Sequence, residues 1–181
     1  GETTVYYATL ADAVAAATSG QTVKLLADTT LTETLVIDKA ITLDGNGKKI
    51  TANLSDTGWV YGVRVQADAT IKNLTIDSAA ANNSQYFIAV RVDSTTTNVT
   101  LDSVTIDLPY SASNAAYRWG VYAFGAGKLT IKDSAITAKY GVSTVGTNGT
   151  INITDTTINA WGIAELGGTG NTMNISGGTL N

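Results

Sequence analysis

The sequence predicts an all-β fold, a right-handed parallel β-helix: a solenoid of about six coils with three short strands per coil and a short N-terminal capping helix. Three observations carry this: a recurring apolar-x-apolar segment, a composition suited to short strands and polar turns, and one amphipathic helix at the start. The recurring segments are AITLDG (40–45), NLTIDS (73–78), SVTIDL (103–108), SAITAK (134–139), TTINAW (156–161) and the closing Thr179-Leu180-Asn181. Their central apolar residues are Leu43, Ile76, Ile106, Ile136, Ile158 and Leu180. The spacings of 33, 30, 30, 22 and 22 residues describe a 22-residue coil with loops inserted in its earlier turns.

A second segment recurs as YGVRV (61–65), IAVRV (88–92), WGVYA (119–123), YGVST (140–144) and WGIAE (161–165). Its inward residues are Val63, Val90, Val121, Val142 and Ile163. The third segment is TIKN (70–73), TLDS (100–103), TIKD (130–133), NITD (152–155) and NISG (174–177), carrying Ile71, Leu101, Ile131, Ile153 and Ile175. Period-two alternation points one side chain in and the next out, and stacking at ~4.8 Å aligns like with like. Asn73, Ser103, Asp133, Asp155 and Gly177 fall at equivalent positions, where small polar residues or glycine suit a tight corner with positive φ.

The stretch 8–18, ATLADAVAAAT, instead has apolar residues at helical spacing, with Thr9 as N-cap and Ser19-Gly20 to stop it. Such a helix is placed to cover the apolar N-terminal end of the solenoid. The chain thus divides into residues 1–20, a segment with the capping helix, and 21–181, a single β-helix domain. No cap sequence follows Leu180, so the reading expects either more protein beyond residue 181 or end-to-end self-association. Gly1-Glu2-Thr3 reads as a processed boundary.

Composition narrows the chemistry. The net charge of −4 comes with no run of Lys or Arg to follow a phosphate backbone, which argues against a nucleic-acid partner. No stretch approaches the ~18 apolar residues of a membrane-spanning helix, so no membrane insertion is expected. Cysteine and histidine are both absent, which removes disulfides, thiolate metal sites and the commonest general base. Any catalysis must use carboxylate, Arg, Lys or Tyr.

The opening YATLADAVAAATSGQTVKLLADTTLTETLVIDKAITLDGNGKKI (7–50) resembles the start of pectate-lyase-like right-handed β-helix domains, including those of bacterial adhesin-like surface proteins. The later repeats NLTIDS, SVTIDL and TTINA carry that coil pattern to the end. The resemblance implies a bacterial protein that is secreted or at the cell surface, with a polysaccharide or host-surface ligand as partner. The family's enzymes carry vWIDH-like and RxPxxR-like segments, or DD and GHG. This chain has no histidine and no DD, and Pro109 has no arginine beside it. The expected function is therefore non-catalytic: adhesion, ligand or glycan binding, or a rigid spacer, with no resident cofactor. The alternatives are a carbohydrate-active enzyme or its inactive relic, and an ice-binding solenoid.

Four sets of residues are candidates for a site. Asp44, Asp77 and Asp107 follow inward apolar residues and are expected to stack on successive coils, where a hard cation such as Ca²⁺, or acid–base chemistry, could use them. The bland alternative is solvated strand-edge acids. Thr42, Thr75, Thr105, Thr157 and Thr179 form an outward column broken at Ala135; an ice-binding face needs such an array, and strand propensity alone also supplies one. Tyr61, Trp119, Tyr140 and Trp161 form an aromatic column interrupted by Ile88, with Tyr122 and Phe124 nearby. It either stacks on sugar rings at the surface or packs into the core or a corner. Arg64 and Arg91 share an outward position and could grip a carboxylate, or pair with local acids such as Asp68 and Asp93. Longer loops at 78–86 and 107–118 could shape a groove beside these strands.

Overall fold

Apolar alternation of this kind lays three ladders of parallel strands around a filled interior. The computed structural model describes residues 4–55, 58–79, 86–93, 97–108, 117–125 and 127–181. Helix α1 (Leu10–Ala16) leads into β1 (Thr22–Lys24), β2 (Thr29–Leu31), β3 (Leu35–Ile37) and β4 (Ile41–Ala52). The chain continues through β5 (Trp59–Val65), β6 (Ala69–Ser78), β7 (Tyr86–Val92), β8 (Asn98–Asp107) and β9 (Arg118–Phe124). It closes with β10 (Lys128–Lys132), β11 (Ala135–Val145), β12 (Thr150–Thr154), β13 (Thr157–Leu166), β14 (Thr172–Ser176) and β15 (Thr179–Leu180). The result is a parallel β-solenoid of about five turns, slightly fewer than the expected six coils, because six repeat segments are rungs that bound five turns.

The first ladder stacks Val23, Leu43, Ile71, Leu101, Ile131, Ile153 and Ile175 in register. The second stacks Ile50, Ile76, Ile106, Ile136, Ile158 and Leu180. The third stacks Leu35, Val63, Val90, Val121, Val142 and Ala164. All but the outermost of these side chains are buried, and each contributes about 1.5–3 kcal/mol through loss of apolar surface to water.

Two assignments from the sequence are corrected by this register. Leu43 belongs to the first ladder, pairing with Ile71, and Ile50 takes the place beside Ile76. β4 runs through both ladders, and its two halves carry the same apolar alternation. In the last turn Val142 pairs with Ala164 instead of Ile163, because β11 and β13 are continuous strands that keep the offset of Ile136 to Ile158 throughout.

The corner between the first two ladders is a column of left-handed residues. Asn73, Ser103, Asp133 and Asp155 have φ of 51°, 56°, 50° and 47°, and Gly177 continues them at 65°. L-residues reach this region at a cost, least for Asn, Asp and Gly. Side-chain hydroxyls hold the bend: Ser134 Oγ accepts from the Val104 N–H at 3.1 Å and donates to Lys132 O at 2.6 Å. At Gly177 a Cβ would lie 2.1 Å from Asp155 Oδ1, so a side chain there requires the Asp155 carboxylate to shift.

The helix forms where it was expected. Thr9 Oγ1 accepts the Asp12 N–H at 3.1 Å and its hydroxyl donates to the Asp12 carboxylate at 2.7 Å, satisfying one of the free N–H groups of the first turn. Val14 is buried, Leu10 and Ala13 pack against the core, and Lys39 Nζ donates to Ala15 O at 2.5 Å. The helix therefore seals the apolar end that β1 and β3 leave open.

Candidate functional site

Outward alternation on the third ladder assembles a surface of aromatic side chains. Register pairs Trp59 with Tyr86, and it runs Tyr61, Ile88, Trp119 and Tyr140 as a second column beside them. Tyr117, one residue before β9, stacks on Tyr86 at a centroid distance of 5.1 Å. Trp59 lies between Tyr86 at 4.9 Å and Trp119 at 5.1 Å, reaching across the rung where Ile88 leaves a gap. Trp119 in turn stacks on Tyr140 at 5.0 Å. Interplanar angles of 19° to 27° mean that these rings occupy one another's faces and turn their edges outward.

The rings are divided between the wall of the solenoid and its surface. Trp119 is only 8% exposed and lines the solenoid wall, while Trp59, Tyr86 and Tyr117 are 38–47% exposed. Sequence reasoning missed these three, although Trp59 and Tyr86 sit two positions before Tyr61 and Ile88, on the same outward phase. Trp161 departs from its expected place: Tyr140 pairs with Gly162. Trp161 meets the Tyr140 ring edge-on at 5.9 Å and 82°, and is 71% exposed. It is the ring of this group with the most face open to solvent.

The arginine pair borders the same surface. Arg64 and Arg91 are register partners, and the Nε of each donates to a different carboxylate oxygen of Asp93, whose side chain is buried. Asp68 accepts the Asn98 N–H at 2.8 Å instead. Arg91 also donates to the Tyr61 hydroxyl at 2.8 Å and lies 4.6 Å over the Tyr61 ring and 5.7 Å from the Phe124 ring. Two guanidiniums and one carboxylate leave a single positive charge here. Burial pushes the Tyr122 and Tyr140 phenols above their ordinary value of 10.0, so both remain hydrogen-bond donors at neutral pH.

The carboxylate row is broken up. Asp77 and Asp107 are register partners, but Asp44 sits in the first ladder opposite Lys72. The shift follows from the correction at Leu43, which carries its neighbour with it. Lys49 Nζ holds Asp77 at 3.0 Å, and among the described residues no three His, Cys, Asp or Glu side chains gather to hold a metal ion. What Asp44 joins is a column of alternating sign that the sequence reading missed: Lys24, Asp44, Lys72, Asp102 and Lys132. Lys72 lies 3.6 Å from Asp44 and Lys132 lies 2.8 Å from Asp102. The bond from Lys132 outweighs burial at Asp102 and keeps it below its ordinary value. At Asp44 burial works upward, but the Asn46 N–H, Asn73 and the lysines together leave it lowered.

The threonine column is also redistributed. Thr42 belongs with Thr22, Thr70, Thr100 and Thr130, while Thr75, Thr105, Thr157 and Thr179 form a separate column with Ala135 among them. Each has a charged or mixed polar column two positions along the strand, so neither forms a threonine array two columns wide. Most of both long loops, residues 80–85 and 109–116, lies outside the described residues.

No protein-family model, no curated protein and no solved structure matches the chain.

Proposed function

We propose that this chain is a non-catalytic solenoid segment of a secreted or cell-surface bacterial protein, adhesin-like in role, that holds a glycan against its aromatic face. The observation that carries the reading is the run of rings on successive rungs, ending in Trp161 with its indole 71% exposed. A large flat ring offers a sugar apolar contact at low entropic cost. The phenol of Tyr140 on the neighbouring rung, and those of Tyr86 and Tyr117 with the guanidinium of Arg64 on earlier rungs, supply hydrogen-bonding groups along the same face. The stacked rings behind Trp161 hold this surface rigid, which limits the ordering cost of binding.

The test is a panel of immobilised neutral and acidic polysaccharides, with retention measured for the unaltered chain and for Trp161→Ala. The expected result is retention on at least one polysaccharide, weakened by the substitution with thermal unfolding unchanged. No retention on any of them, or retention indifferent to Trp161, overturns the reading.

A further inference from the structure

The first corner of the solenoid differs from the other five. Five positions separate Ile71 from Ile76, Leu101 from Ile106, Ile131 from Ile136, Ile153 from Ile158 and Ile175 from Leu180. Leu43 and Ile50 are seven apart, and the ladder register breaks between Asp44 and Lys48. The two extra positions fall within this break, which holds the dipeptide Asn46–Gly47. Both residues are exposed, with φ of 52° and 71°, and a Cβ on Gly47 would meet nothing within 4 Å. They border a depression of about 480 Å³.

The chain has one other Asn–Gly dipeptide, Asn148–Gly149. Asn148 has nearly the same φ, 57°, and the two sites differ in how tightly the following glycine is held. Gly149 is buried; its N–H donates to Asn171 Oδ1 at 2.7 Å, and a Cβ there would lie 2.7 Å from Gly125 O. The third Asx–Gly pair, Asp44–Gly45, is likewise confined: Gly45 is buried, and a Cβ on it would lie 2.4 Å from Asn73 O.

An asparagine followed by glycine can cyclise when the glycine nitrogen is able to lose its proton and swing onto the side-chain carbon. The nitrogen of Gly47 forms a bond to Cγ of Asn46, the Cγ–Nδ2 bond breaks, and ammonia departs with the displaced proton. Water then opens the succinimide at either carbonyl, giving aspartate or isoaspartate. Glycine adds no side chain to resist that swing. We infer that Asn46 is a site of spontaneous deamidation in the folded protein and that Asn148 is protected from it.

Conversion has a local consequence. Asn46 Nδ2 donates to Leu25 O at 3.1 Å, and the Asn46 N–H donates to Asp44 Oδ1 at 2.9 Å. Deamidation removes the first bond, which ties this turn in the middle of β4 to Leu25 just after β1, and sets a second carboxylate beside Asp44.

The experiment ages the purified chain at mildly alkaline pH and follows both sites by peptide mass mapping, with isoaspartate scored by enzymatic carboxyl methylation. A urea-unfolded sample serves as reference. The expected result is conversion at Asn46 at least tenfold faster than at Asn148 in the folded chain, with the two rates similar in urea. Gly47→Ala slows the Asn46 reaction, and Asn171→Ala, which removes the acceptor of the Gly149 N–H, accelerates that at Asn148. Equal rates in the folded chain overturn the inference, as does an intact Asn46 where the urea sample has converted.

Discussion

The outer face of the first ladder and the outer face of the third use the same rung spacing, but they fill it by opposite rules. Along the first, Lys24, Asp44, Lys72, Asp102 and Lys132 alternate in sign. Along the third, aromatic rings follow aromatic rings. Parallel in-register stacking at ~4.8 Å brings each side chain against its equivalent in the next coil. Identical rings attract at that distance, whereas identical charges repel. A charged column therefore either changes sign at each rung or, like the Arg64–Arg91 pair on Asp93, needs a counter-charge beside it, whereas an aromatic one persists by repetition.

That contrast orders the expected effects of substitution. Trp119→Ala empties the inner position of the ring stack and is expected to destabilise the fold by ~3–5 kcal/mol, read as a shift in urea midpoint. A loss below ~1 kcal/mol would mean that the stack is surface decoration. Lys72→Asp sets three acids on successive rungs and is expected to cost ~1–2 kcal/mol, with the loss narrowing as salt is raised. Indifference to salt would show that the alternation is incidental.

The third expectation concerns acid. Asp44 and Asp102 have folded pKa values below their ordinary 3.8, so their contribution is present above that value and is lost as pH falls through the lowered folded one. The unaltered chain should lose stability below about pH 4. Asp102→Asn should flatten this acid limb, and Tyr140→Phe should leave it unchanged, because a phenol with a raised pKa is neutral throughout that range. The smallest expected change in stability is at Trp161→Ala, within ~0.5 kcal/mol, since that ring is exposed and touches the stack only by an edge. A large loss there would make Trp161 part of the wall instead of its binding surface.

The middle of the solenoid was the most legible part of the sequence. From β6 to β11 each coil supplies its own apolar pair five residues apart, so Ile71 and Ile76 cannot be confused with anything else. The first coil misled because Leu43 and Ile50 both sit in plausible strand segments of β4, on either side of its register shift between Asp44 and Lys48, and hydrogen-bond register is what distinguishes them. The last coil misled because Trp161-Gly-Ile imitates Tyr140-Gly-Val one position out of step. A continuous strand cannot slip by one residue midway without a bulge, and that constraint acts on the backbone without marking the side chains. The arginine pair was found as a pair, and Asp93 was named among its partners. The ring stack was half found, since Ile88 concealed the contact between Trp59 and Trp119 on either side of it.

The left-handed corner carries a consequence for building with this fold. From Asn73 onward it keeps the first and second ladders five residues apart, while differences in coil length fall on the other two connections. It therefore acts as a gauge that keeps successive coils interchangeable. Copying residues 134–155 and inserting the copy after residue 155 should add one complete rung, lengthening the rod by ~4.8 Å. The copy brings its own left-handed Asp, and every strand downstream keeps its phase.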